Sequence, residues 1–147
     1  MEKIKNYTSS IPVVIIVSRI EKYLISSGAK DILKNYNDAQ ELEAISFRIF
    51  RHNKDFSFKL PANVYGVARV LYGIEYHKLN DNKKQQAQRT AWKCVSDWTE
   101  LQIAMVKMQQ ADIVEIFLPY LWIGNKSFFK GLSDTNFRLL QQNNTEV

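Results

Sequence analysis

The sequence predicts an α+β domain: an N-terminal helix, a three-stranded antiparallel meander, then three or four helices packed on the meander's apolar face. Three observations predict it. The hydrophobic period changes from helical to two near residue 30. Three period-two runs, 30–35, 42–50 and 56–60, are separated by turn-forming residues. From Asn63 onward the period is helical again. The 147-residue length suits one domain, placed at 11–140, with a polar lead-in at 1–10 and a flexible polar tail at 141–147.

The first helix spans about 16–27, with Ile16, Ile20, Tyr23 and Leu24 on one stripe and Gly28 as its C-terminal stop. Its start is open, because the β-branched run 13–17 suits an extended chain as well. In the second strand Ile45, Phe47 and Ile49 point one way, and Ala44, Ser46 and Arg48 the other. After a turn at 51–54, Phe56, Phe58 and Leu60 line the apolar face of the third strand, with Ser57 and Lys59 opposite. Pro61 ends the sheet, and Asn63 caps a helix expected to run from 64 to about 77. A long helix over about 84–109 carries a seam of Ala87, Ala91, Cys94, Trp98, Leu101, Met105 and Met108. Asp112 caps a last helix, 113–123, in which Pro119 forces a kink or an early stop. Phe128, Phe129 and Leu132 add one more turn that docks back.

Composition narrows the function classes. Charged residues at 24% and hydrophobic residues at 46% describe an ordinary globular chain. Cys94 is the only cysteine, so no intramolecular disulfide forms, which fits a reducing cytoplasm. The apolar run 11–17 is too short to cross a bilayer, so no membrane partner is expected. His52, His77 and Cys94 fall on a turn, a helix end and a helix seam, too scattered for a metal site. No phosphate loop or nucleophile elbow is present, and no catalytic residue or cofactor is assigned. A nuclease built on Asp38, Glu41 and Glu43 is disfavoured by their hairpin-turn setting.

The charge pattern carries the functional reading. Residues 44–96 hold ten basic residues against Asp55, Glu75 and Asp81, a local surplus of +7 in a chain of net charge +5. Concentrated positive charge attracts polyanions. Arg48 and Lys59 project from the polar sheet face, Arg51, His52 and Lys54 lie at the hairpin tip, and Lys78, Lys83, Lys84, Arg89 and Lys93 continue the surplus. Phosphate contact and a plain solvated surface explain the hairpin cations equally well. Tyr65, Arg69, Tyr72 and Tyr76 recur at helical spacing on a face away from the Val64, Val67 and Leu71 stripe. That face is either a platform for stacked bases or a second buried face covered by a neighbouring helix. Gly66 and Gly73 share a third face, which predicts close approach of another element's backbone. The 87–108 seam serves the core, or a dimer interface.

Four blocks in order, Leu60-Pro61-Ala62-Asn63-Val64, Gln88-Arg89-Thr90-Ala91-Trp92, Asp97-Trp98-Thr99-Glu100-Leu101-Gln102 and Phe117-Leu118-Pro119-Tyr120-Leu121, resemble a family of small uncharacterised phage and prophage proteins over about 11–123. The resemblance implies a mobile-element origin and a role near replication or recombination, and brings no catalytic residues. The chain departs from it at 13–16, which is apolar where the family's first helix opens with polar residues. The helix–three strands–helix order also resembles double-stranded-RNA-binding domains. Their lysine-rich helix start is missing, since Asn63-Val64-Tyr65-Gly66 stands there.

The expectation is a non-enzymatic accessory protein binding nucleic acid through Arg48, Arg51, Lys54, Lys59, Tyr65, Arg69, Tyr72, Tyr76, Lys83, Lys84, Arg89 and Lys93. The alternative is a protein-interaction module or inhibitor acting through the last helix or the tyrosine face.

Overall fold

A computed structural model describes residues 2–142. It is an α+β fold, with an N-terminal helix, a three-stranded antiparallel sheet and further helices. Helix α1 is Val13–Ser26. The sheet is β1 Lys30–Tyr36, β2 Leu42–Arg51 and β3 Lys54–Pro61, in that spatial order. Then come α2 Val64–Tyr72, a 3-10 turn Tyr76–Lys78, α3 Asp81–Lys107 and α4 Ile113–Phe117. A second 3-10 turn, Leu118–Tyr120, leads into the hairpin β4 Trp122–Ile123 and β5 Lys126–Ser127, followed by α5 Phe128–Asp134 and α6 Arg138–Gln142.

Strand alternation sets the core. Ile45 pairs with Leu60, Phe47 with Phe58 and Ile49 with Phe56, so one face of β2 and β3 is apolar. Ile16, Val17, Ile20 and Leu24 of α1 join that core, as do residues of α2, α3 and α4. This settles the start of α1. The β-branched run is helical from Val13, because burying that stripe outweighs a helix-propensity cost of less than about 0.7 kcal/mol per residue. Among the described residues helices α5 and α6 contribute no buried side chain, and the buried core of the apolar face comes from the helices through α4.

Three local expectations are corrected. First, α2 stops at Tyr72, not near His77. Gly73 sits at φ 70° as its left-handed C-cap, donating its N–H to the Arg69 carbonyl. Second, the close approach at Gly66 comes from the Asn63 side chain, which caps the same helix, and a Cβ at Gly66 would lie 2.7 Å from Asn63 Nδ2. Third, the buried stripe of α3 is Ala87, Thr90, Ala91, Trp92, Ser96, Thr99 and Ile103, while Leu101 and Met108 of the expected seam are exposed and Cys94 is half-buried. A 3.5-residue repeat drifts about 20° per heptad around a straight helix, so the seam rotates out of the core. The small polar residues that replace it are satisfied: Thr99 Oγ1 donates to Val95 O and Thr90 Oγ1 to Asn6 O. Of the two outcomes expected at Pro119, the early stop occurs: the last helix ends at Phe117, with Pro119 housed in the 3-10 turn and Gly124 in the hairpin turn.

The polar lead-in is pinned to α3. Gln86 Nε2 donates to the carbonyls of Tyr7 and Ser9, and Asn6 Nδ2 donates to Asp97. Gln141 and Gln142 of the expected tail close α6, and 143–147 lie outside the described residues.

Gly73→Ala forces a Cβ into the left-handed region and lowers stability by about 1 kcal/mol, read as a drop in urea midpoint; Gly73→Asn loses less, because asparagine tolerates that region.

Candidate nucleic-acid interface

Two helix starts position the main cluster. Asn63 Oδ1 accepts from Gly66 N, 2.9 Å, and Asn80 Oδ1 accepts from Lys83 N, 2.9 Å. These caps fix the rotation of α2, and with it Tyr65, Arg69 and Tyr72, and set Lys83 and Lys84 at the head of α3. Tyr76 is not on the α2 face as expected. The Gly73 turn carries it away, and the 3-10 segment brings its ring back against Tyr65, with centroids 5.0 Å apart. Lys83 Nζ lies 5.3 Å from the Tyr72 ring centroid and Lys84 Nζ 5.6 Å from that of Tyr76.

The three tyrosines have different fates. Tyr65 is 53% exposed, Tyr72 is half-buried and Tyr76 is 5% exposed. The Tyr76 hydroxyl donates to Glu41 and accepts from Gln88 Nε2, 2.6 Å away, while Gln88 also donates to Glu41 at 2.8 Å. Burial, and then the hydrogen bond to the Glu41 carboxylate, push the Tyr76 phenol up to about 12. Tyr76 is therefore a hydrogen-bonded anchor between the β1–β2 turn, the 3-10 turn and α3. The ring open to a ligand is Tyr65.

A groove of about 440 Å³ joins this corner to the sheet, with Asn37, Glu41, Glu43, Lys59 and Tyr65 in its lining. Lys59 also lies 5.0 Å from the Trp122 ring centroid. Trp122 belongs to a stretch that reads as core in the sequence. Leu121 bridges to Phe58 on the edge of β3, and that register carries Trp122 to the neighbouring Lys59. No sequence signal joins Lys59 to Trp122, because the contact depends on where the β4–β5 hairpin lands. The outer sheet face is less polar than alternation implies, with Leu33 62% and Phe50 61% exposed.

The remaining cations separate. Arg48 is held by Asp31 at 2.5 Å and Asp55 at 3.7 Å. Arg51, at 3.1 Å, and His52, at 3.2 Å, clasp Asp112, which caps α4. Burial raises the Asp112 pKa, but the His52 hydrogen bond, the Val114 N–H and the Arg51 guanidinium outweigh it and hold the carboxyl below its usual value. Lys54, exposed beside them, makes no ion pair among the described residues. Arg89 donates to Ser9 O, 3.1 Å, and to Gln86 Oε1, 2.6 Å. Lys93 pairs with Asp97. Arg89 and Lys93 thus face the N-terminal segment on a different side of α3 from Gln88 and Lys84, so the linear run of charge does not fold into one track. His77 and Lys78 are exposed.

No group of His, Cys, Asp and Glu able to hold a metal occurs among the described residues, and no described helix is long and apolar enough to cross a membrane. No protein-family model, curated protein or solved structure matches the chain.

Tyr76→Phe removes a donor from Glu41 and lowers stability by about 1 kcal/mol. The pH dependence distinguishes the two proteins. An unfolded tyrosine loses its proton near 10 and folded Tyr76 near about 12. The folded state therefore holds the extra proton across that window, and stability falls as pH rises through it. Urea midpoints measured across the window in both proteins show this component in the parent chain and lack it in the variant.

Proposed function

We propose that this chain is a non-enzymatic nucleic-acid-binding accessory protein of a phage or prophage, acting in the cytoplasm. The observation that carries the reading is the continuity of Lys59, Tyr65, Arg69, Lys83 and Lys84. Lys59 and Tyr65 line one groove, Tyr65 packs on Tyr76, and Lys84 lies over Tyr76. Arg69 shares the α2 face with Tyr65 and Tyr72, and Lys83 lies over Tyr72. None of these four cations makes an ion pair among the described residues, whereas Arg48, Arg51 and Lys93 do. Unpaired cations keep their charge for phosphate, and an exposed ring between them accepts a base. The resemblance to phage proteins and the single cysteine support the origin and the compartment.

A second reading, a protein-interaction surface, is favoured by the exposed Leu118, Ile123, Phe129, Leu139 and Leu140 of the C-terminal quarter. Phe117 is fully buried and leaves that surface. The exposed Leu101 and Met108 leave one stripe of α3 open to a second copy.

Four phosphate contacts imply a log–log salt slope between about −3 and −4. The double variant Lys83→Gln, Lys84→Gln weakens binding roughly tenfold or more at low salt, alike for all sequences, and flattens that slope. Arg89→Gln leaves affinity unchanged. Fluorescence anisotropy at two salt concentrations reads all three. Unchanged affinity in the lysine pair removes this surface, and no binding by the parent chain at low salt removes the reading.

A further inference from the structure

The β4–β5 hairpin builds a second hollow on the far side of Lys59. Tyr120, Trp122 and Phe129, with Pro61 and Pro119, line a groove of about 520 Å³. Its aromatic walls are held from behind. The Tyr120 ring packs edge-on against Trp98 at 5.7 Å, and Phe129 packs against Phe137 at 6.0 Å. The Leu121–Phe58 bridge and the Trp122–Ser127 pairing fix the hairpin against β3. Phe129 is nevertheless 56% exposed, so its ring is presented to solvent. The one charged residue in the lining is Lys59, and it is a cation.

We propose that this groove receives an unstacked base of single-stranded DNA, with the adjoining phosphate on Lys59. The inference rests on the nucleic-acid reading above and specifies its strand type. Three properties point to this occupant. The lining combines π-faces with a single positive charge, which complements a flat apolar base beside an anion. Lys59 also lines the groove that leads to Tyr65, so the hollow continues the candidate interface. Apart from Lys59, the polar side chains of the lining are the Ser127 hydroxyl and the Tyr120 phenol. The Ser127 hydroxyl is already engaged, accepting from Lys130 N as the cap of α5, so only the Tyr120 phenol is left to bond a ribose 2′-hydroxyl, which favours the deoxy strand. A base paired in a duplex keeps its stacking partners and cannot enter.

The test uses the full chain and labelled (dT)12, its duplex with (dA)12, and (U)12. The parent chain binds (dT)12 more tightly than the duplex or (U)12. Phe129→Ala, a change at an exposed position, weakens (dT)12 binding about tenfold and leaves duplex binding unchanged. Trp122 emission is quenched on binding, and Trp122→Phe removes most of the quench, because Trp92 is fully buried and Trp98 lies behind the Tyr120 ring. Equal affinity of Phe129→Ala and the parent for (dT)12 overturns the groove. If Lys83→Gln, Lys84→Gln still weakens binding in that case, the broader reading stands without it. Equal loss on strand and duplex, or tighter binding of (U)12, also overturns the assignment. A parent chain that binds none of the three overturns both. Capture of a proline-rich peptide that depends on Phe129, with DNA binding unaffected, reassigns the groove to a protein partner.

Discussion

The contact on which the rest of the structure depends is the aromatic stack at the centre of the sheet. Phe47 and Phe58 pair across β2 and β3 with ring centroids 5.4 Å apart, and Phe117 closes on both, at 5.0 Å and 5.7 Å. Trp98 of α3 meets Phe117 at 5.8 Å and passes the contact on to Tyr120. Three distant parts of the chain are thereby locked to one register. Because alternate residues of a strand face opposite ways, Phe58 inward obliges Lys59 outward. The cation shared by both grooves is placed by the core. The same stack holds the end of α4, which delivers the β4–β5 hairpin to the edge of β3.

A positive run in sequence is not a positive surface. Carboxylates outside residues 44–96 return to that run in space: Asp31 to Arg48, Asp112 to Arg51, Asp97 to Lys93. Each pair is surface-exposed or nearly so and contributes little to stability. Their larger effect is local neutralisation, which leaves Lys54, Lys59, Arg69, Lys78, Lys83 and Lys84 as exposed or half-exposed cations of the run without an ion pair among the described residues. Arg89 carries its charge into a hydrogen-bonded corner, where it donates to the Ser9 carbonyl and to the Gln86 side chain.

The fold class was legible because it rests on periodicity. The alternation of 42–50 and 56–60 and the caps at Asn63 and Asp112 each have a local physical cause, and the structure realises them at those positions. The end of α2 was less legible. Gly73 reads equally as a tolerated interior glycine and as a stop, and only the burial of Tyr76 against Glu41 and Gln88 selects the stop. The α3 seam misled because Thr90, Ser96 and Thr99 look polar in sequence, yet they are buried with their hydroxyls satisfied or small enough to pack. Part of the tyrosine–lysine cluster could be read from spacing on α2. Trp122 and Phe129 could not, because their position depends on a contact to a strand more than sixty residues earlier.

The anchoring of the N-terminal segment bears on the order in which the chain assembles. The hydrogen bonds that Gln86 and Thr90 donate to the carbonyls of Asn6, Tyr7 and Ser9, and that Asn6 donates to Asp97, span 77 to 91 residues of sequence. The β2–β3 hairpin closes across a two-residue turn at His52 and Asn53, both at positive φ. Short loops close at small entropic cost and long ones at greater cost, so the hairpin forms early and the first segment docks late. During synthesis, residues 4–9 therefore precede their partners by nearly the whole sheet and α2, and their side-chain and carbonyl hydrogen bonds to α3 form only once residues 86–97 have been made.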